Sequence, residues 1–204
     1  MPEMPPKDVP GKEKMEKEGR FKSTYPYKEG LVRKRHDRFG SEERELRNLL
    51  TPEYIKAEFY LHKLMLLLVP HCSPKILFAS GATGTAETVH ERVSPGVPAF
   101  NRDRPELHRA IQQFAHVDNV EQNYGYTANK SVVYIDSFEP WQDVRIQAGR
   151  RKLERLYNEN AIRNAIHETL HGAEQTRALR YLNRINTLYT IANTAFLAKQ
   201  KTSP

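Results

Sequence analysis

Cysteine is nearly missing from this 204-residue chain: Cys72 stands alone, so no intramolecular disulfide can form and no cysteine-rich zinc site can be built. So little thiol suits a reducing compartment. Long apolar runs are lacking too. The longest, Leu64–Val69, is far shorter than the roughly 20 residues of a membrane-spanning helix, and His62 and Lys63 interrupt its approach. The opening stretch, Met1–Arg20, mixes Pro, Lys and Glu without the apolar core of a secretory signal, which makes the cytoplasm the expected location.

What is present describes an ordinary globular chain. Hydrophobic residues make up 38% and charged residues 28%, a balance that excludes disorder over the whole length. At this size the chain forms one domain or two small lobes sharing a core. The net charge is +7, and from Arg150 onward ten Lys or Arg face four Asp or Glu. Such a surplus fits a solvated surface, a site for phosphate-bearing ligands or a nucleic-acid partner. The last is the less favoured reading, because no aromatic residues interleave with the basic ones as a single-strand stacking platform requires.

Along the chain, Met1–Gly19 reads as a tail, and Tyr25 to Arg35 as one or two short strands around the Gly30 turn. Ser41-Glu-Glu-Arg-Glu is a helix start with an acidic first turn. Thr51-Pro52 starts another, with Thr51 as N-cap, and its apolar positions up to Pro70 bury it on most sides. Pro74–Ser80 and Thr85–Val93 form a hairpin, Ser94–Pro98 a linker, Arg104–Ala115 a helix and Lys130–Asp136 a strand. Everything from about Gln142 to Lys199 reads as helical.

The most informative run is His116-Val-Asp118-Asn-Val-Glu-Gln-Asn123, followed thirteen positions later by Asp136 at the end of an apolar strand. This His-x-Asp-x4-Asn pattern with its later aspartate resembles the catalytic segment of the protein-kinase-like fold. The resemblance spans roughly Leu31–Trp141 and is specific from His116 to Asp136. It implies an α+β, two-lobed protein: a flexible tail over 1–20, a strand-containing N-lobe with one central helix over 21–95, and a mostly helical C-lobe over 96–204 containing the catalytic-loop-like segment 116–136.

It further implies Mg and ATP as cofactors, with a phosphate acceptor that no motif names. Asp118 would be catalytic, orienting the acceptor hydroxyl and taking its proton, while Asn123 and Asp136 would hold the magnesium. Lys34 would contact the nucleotide phosphates, Glu58 would be its ion-pair partner, and Glu91 and Val93 would offer backbone groups to adenine. The chain also departs from the family pattern. No Gly-x-Gly-x-x-Gly precedes Lys34, and Ser137-Phe138-Glu139 follows Asp136 where the family has Phe-Gly. Those departures leave an inactive descendant, a pseudokinase, as open as a working enzyme.

A rival motif stands near the C-terminus. His167-Glu168-Thr169-Leu170-His171 is a literal His-Glu-x-x-His, which on one helix would set two imidazoles on a single face for zinc, with Glu168 as general base of a metallohydrolase. Beyond Glu174, however, no His, Asp or Glu remains to serve as a later third ligand. The third alternative is a non-catalytic basic interaction protein. Cys72, beside His71, has no evident catalytic partner and reads as inert.

Overall fold

In the computed structural model, residues 17–18, 23–36, 51–82, 85–146 and 151–201 are described. The expected helix start at Ser41 lies outside them. The fold is α+β, with helices and small antiparallel sheets wrapped around one hydrophobic core.

Strands β1 (Lys17–Glu18), β2 (Ser23–Pro26), β3 (Leu31–Arg35), β4 (Ile76–Ala82) and β5 (Thr85–Glu91) form an antiparallel sheet in the order β1-β2-β3-β5-β4. Gly30 makes the β2–β3 turn possible with φ of 70°, a left-handed value that costs an L side chain energy. β1 falls inside the segment expected to be tail; pairing of Lys17 with Thr24 and Glu18 with Ser23 recruits it to the sheet edge.

Helix α1 (Pro52–Leu68) crosses between β3 and β4 in sequence and starts as its residues dictate. The Thr51 hydroxyl accepts the Tyr54 amide at 3.3 Å, and Pro52 occupies the first turn, where its missing N–H costs nothing. Tyr54, Ile55, Ala57, Leu61, Leu64 and Met65 are all buried, so the helix is covered from more than one side. One cover is the β4–β5 side of the sheet. The other is the chain's last helix.

After β6 (Ser94–Pro95) comes α2 (Asp103–Gln112), then a 3₁₀ turn, Glu121–Asn123, leading into β7 (Tyr124–Tyr126) and β8 (Val132–Tyr134). β6, β7 and β8 form a second antiparallel sheet. Gly125 is required there: a Cβ would stand 2.6 Å from the Ser94 carbonyl oxygen, so any larger residue would push β6 off β7.

The expected continuous helicity from Gln142 is wrong at its start. Trp141–Arg145 and Arg151–Arg155 form an antiparallel hairpin, β9 and β10, pairing Trp141 with Arg155 and Arg145 with Arg151. Cross-strand chemistry favours the strands: Arg151 grips Asp143 with Nη2–Oδ2 at 2.8 Å, and Gln142 donates to Glu154 at 3.3 Å. Trp141 then points inward, edge-on to Tyr54 at 5.5 Å and to Tyr189 at 5.8 Å. Burial of this side chain outweighs the local helical pattern.

α3 (Glu159–Thr169) and α4 (Gly172–Lys201) complete the chain. α4 lays Ala178, Leu182, Ile185, Ala192 and Phe196 into the core against α1, and Gln200 exchanges two hydrogen bonds with the Arg151 backbone. The core therefore runs without a break across the expected boundary near residue 95.

Two substitutions grade this account. Trp141→Ala removes a fully buried side chain and should cost about 3–5 kcal/mol in urea unfolding. Thr51→Ala removes one cap and should cost only about 1 kcal/mol. Equal losses would mean that Trp141 is not the anchor described.

Candidate functional site

β3 carries Lys34 at the centre of the large sheet, paired with Thr24 on β2 and Thr88 on β5. Its ammonium donates to the carbonyl of Ile135, 101 positions away in sequence and one residue before Asp136. The Ile135 amide in turn donates to the Asn123 carbonyl at 2.8 Å, which fixes the Asn123 and Asp136 backbones side by side. The Tyr134 amide is held by the Cys72 carbonyl at 2.7 Å. Asp136 itself closes a local turn, its Oδ1 accepting the Ser137 amide at 2.8 Å, and remains exposed. Lys34, Asn123 and Asp136, from three separate segments, are thus brought together.

Glu58 faces the same region from α1. It is 1% exposed, with His36 Nε2 at 3.9 Å from its Oε2. Both Glu58 and Lys34 act electrostatically on His62, one turn further along α1. His62 hydrogen-bonds the Pro74 carbonyl at 2.7 Å and packs against His90 and Phe138, each at 5.3 Å. Burial, the largest influence, pushes its pKa down to about 4; Lys34 adds to that, while the Pro74 contact and Glu58 oppose it.

Asp118 lies in the stretch between α2 and the 3₁₀ turn that leads into β7. It is exposed, and His116 Nε2 stands 3.7 Å from its Oδ1. Its backbone neighbourhood is fixed by the His116 amide donating to the Leu156 carbonyl at 2.7 Å. Beneath it, the Tyr124 hydroxyl meets His108 Nδ1 at 2.9 Å. Burial pushes Tyr124 up to about 12; Arg104 opposes that, and Asp118 adds to it. Burial also raises Tyr134 far above its ordinary value, with Asp136, Tyr124, Glu139 and Asp118 adding to it. Asp118 and Asp136 therefore both bear on one buried ring.

Of the two residues expected to face adenine, Glu91 spends its amide on the Lys75 carbonyl at 3.0 Å. Val93 follows the end of β5, just before the turn into β6. Glu139 was not singled out from sequence, yet its charge reaches both Tyr54 and Tyr134. Its spacing of three after Asp136 was the available signal.

The His-Glu-x-x-His motif straddles a break between two helices. α3 ends at Thr169, Leu170 turns extended with φ of −109° and ψ of 144°, and Gly172 opens α4 with φ of 56°. His167 sits on the last turn of one helix and His171 in the break before the next, so His167, Glu168 and His171 do not share the single helical face the motif needs. Among the described residues, no three His, Cys, Asp or Glu side chains converge to hold a metal ion.

Cys72 is buried, and burial pushes its thiol up to about 12, which keeps it protonated and unreactive. A small hollow lies elsewhere, between the start of α1 and the end of α4, lined by Thr51, Ile191, Ala195 and Phe196; it contains none of the candidate residues. No helix among the described residues is long and apolar enough to cross a membrane. No known family model matches the chain, and no curated protein matches it.

The buried His62 generates a pH prediction. Its folded pKa lies below the ordinary 6.5, so the unfolded chain binds this proton first. Its contribution is therefore complete above pH 6.5 and is lost as pH falls towards 4, at up to about 1.4 kcal/mol per pH unit. Urea midpoints measured across that range should fall with pH in the parent and fall less steeply in His62→Gln, which keeps a donor for Pro74. Identical slopes would show that His62 is not the titrating group.

Proposed function

We propose that this protein is kinase-like and binds Mg-ATP at the Lys34, Asn123 and Asp136 site, as a phosphotransferase or as a pseudokinase descended from one. The observation that carries the reading is the Lys34 ammonium meeting the backbone beside Asp136. In protein kinases the phosphate-contacting lysine lies on the third strand, its glutamate partner on the following helix, and the metal-binding aspartate after a later strand. Here Lys34 is on β3, Glu58 on α1 and Asp136 two residues beyond β8. The order of these parts along the chain, with the Lys34 contact beside Asp136, supports the reading.

Roles follow from the chemistry of each group. Lys34 supplies positive charge to the phosphates, exchanging the Ile135 carbonyl for phosphate oxygens. Asp136 and Asn123 present an anionic and a neutral oxygen to magnesium, which when bound supplies charge neutralisation to the transferring group. Asp118, exposed and close to His116, is open to an acceptor hydroxyl and able to take its proton. Phe138, two residues after Asp136 and fully buried against His62 and Tyr134, ties the aspartate's loop to α1. Val93 is the residue best placed in the sequence of elements to offer a backbone group to adenine.

Mg-ATP at a hundredfold its Kd should raise Tm by about 5–10 °C, from about 2.7 kcal/mol of linkage in a chain of this size. Asp136→Asn should remove the magnesium-dependent part of that shift. Asp118→Asn should keep the shift and slow phosphate transfer or ATP hydrolysis, since it acts on the acceptor. A parent protein with no shift at millimolar Mg-ATP, or two variants that behave alike, would sink the proposal.

A further inference from the structure

α4 hides one face and displays another. Its buried residues, Ala178, Leu182 and Ile185, define the side turned to α1, and the opposite side carries Arg177, Arg180 and Arg184, all exposed. Steps of three and four residues keep the three guanidinium groups within about 60° of one another around the axis, over about 10 Å of its length. Thr176, Asn183 and Thr187, exposed on the same side, add neutral hydrogen-bonding groups. Several arginines elsewhere in the fold are neutralised: Arg151 holds Asp143, while Arg155 and Arg163 share Glu159. Arg177, Arg180 and Arg184 have no ion pair among the described residues, and beyond Glu174 the chain contains no Asp or Glu that could supply one.

We infer that this face docks the phosphate backbone of a nucleic-acid duplex. Three unneutralised arginines in a row on a rigid helix suit a linear array of negative charges, and flanking Thr and Asn side chains are the neutral groups that hydrogen-bond phosphate oxygens. A single strand would want free aromatic rings for its bases, and the ring nearest these arginines, Tyr181, is partly buried against Tyr60 at 5.8 Å. A membrane surface would want several exposed Trp, Phe or Leu among the arginines; here Leu188 is partly buried, the exposed Ile191 lies two turns beyond Arg184, and exposed Thr176, Asn183 and Thr187 flank the row. Recognition through phosphate alone carries no base readout, so binding is independent of sequence. The inference does not depend on the nucleotide site, and the arginines lie outside it.

The test uses the full chain and a dye-labelled 20-base-pair DNA duplex, read by fluorescence anisotropy from 50 to 200 mM salt. Three phosphate contacts contribute about −2.7 to the slope of log K against log salt, a loss of about 40-fold over that range. The variant Arg177→Gln/Arg180→Gln/Arg184→Gln, checked for its helical signal by circular dichroism, should bind at least tenfold more weakly at 50 mM salt and show a slope shallower by about 2.7. An unchanged affinity and slope in the folded triple variant would overturn the inference. So would tighter binding to a single-stranded 20-mer, or binding to phosphatidylserine vesicles with none to the duplex. Should the triple variant fail to fold, Arg180→Gln alone should make the slope shallower by about 1, and no change would count equally against it.

Discussion

Helix α1 is buried from two directions, and most of the architecture answers that constraint. The sheet covers one side of it and α4 another, so every polar group it carries inward must be settled in place rather than by water. Glu58 and His62 are the two inward groups, and each draws in a different segment: His36 at the end of β3 approaches Glu58, while Pro74 before β4 accepts from His62. A helix merely docked on a sheet would leave such groups at its rim. Here their burial fixes how α1 sits, and through it how β3 and the loop around Asp136 meet.

The same constraint shows what could be read from the amino acids and what could not. Thr51-Pro52 announced the start of α1, the apolar positions up to Val69 announced its burial, and the β4–β5 hairpin followed from two strand-like runs either side of the Gly81 and Gly84 turn signals. The hairpin of β9 and β10 was misread because Leu153, Leu156 and Tyr157 run into a true helix, while its cause, Trp141 lodging between Tyr54 and Tyr189, is a contact between segments far apart in sequence. The break between α3 and α4 was hidden for a related reason. Gly172 is the visible signal, but His-Glu-x-x-His drew attention to a motif that the extended Leu170 cuts in two.

The candidate site divides along the same line. Asp118, Asn123 and Asp136 were legible because their spacings lie within one local stretch, where a 3₁₀ turn and the β7–β8 hairpin do the positioning. Lys34 was legible only by analogy, since nothing in its flanking arginines distinguishes it. The contact with Ile135 singles it out: Arg33 and Arg35 turn to Glu87, Tyr27 and Tyr25, while Lys34 turns to the Asp136 segment. Alternation along the strand sends the middle residue to the opposite face from its neighbours.

The two halves of this site are not equally rigid, and that inequality bears on what the protein can do. Asp136 is held by its own turn, by Lys34 through Ile135, by Asn123 and by the buried Phe138, so the groups that would bind nucleotide are fixed before any ligand arrives. Asp118 is 73% exposed on its side chain, and His116 Nε2, 3.7 Å from its Oδ1, belongs to a side chain itself 63% exposed. Phosphoryl transfer relies on positioning, and a reacting group displaced by an ångström can lose a hundredfold in rate. On the proposed reading, a site with preorganised binding groups and a loosely held acceptor residue would hold nucleotide more readily than it turned it over. Catalysis would then wait on the acceptor, whose own contacts would have to immobilise Asp118 against the Tyr124 and His108 platform beneath it.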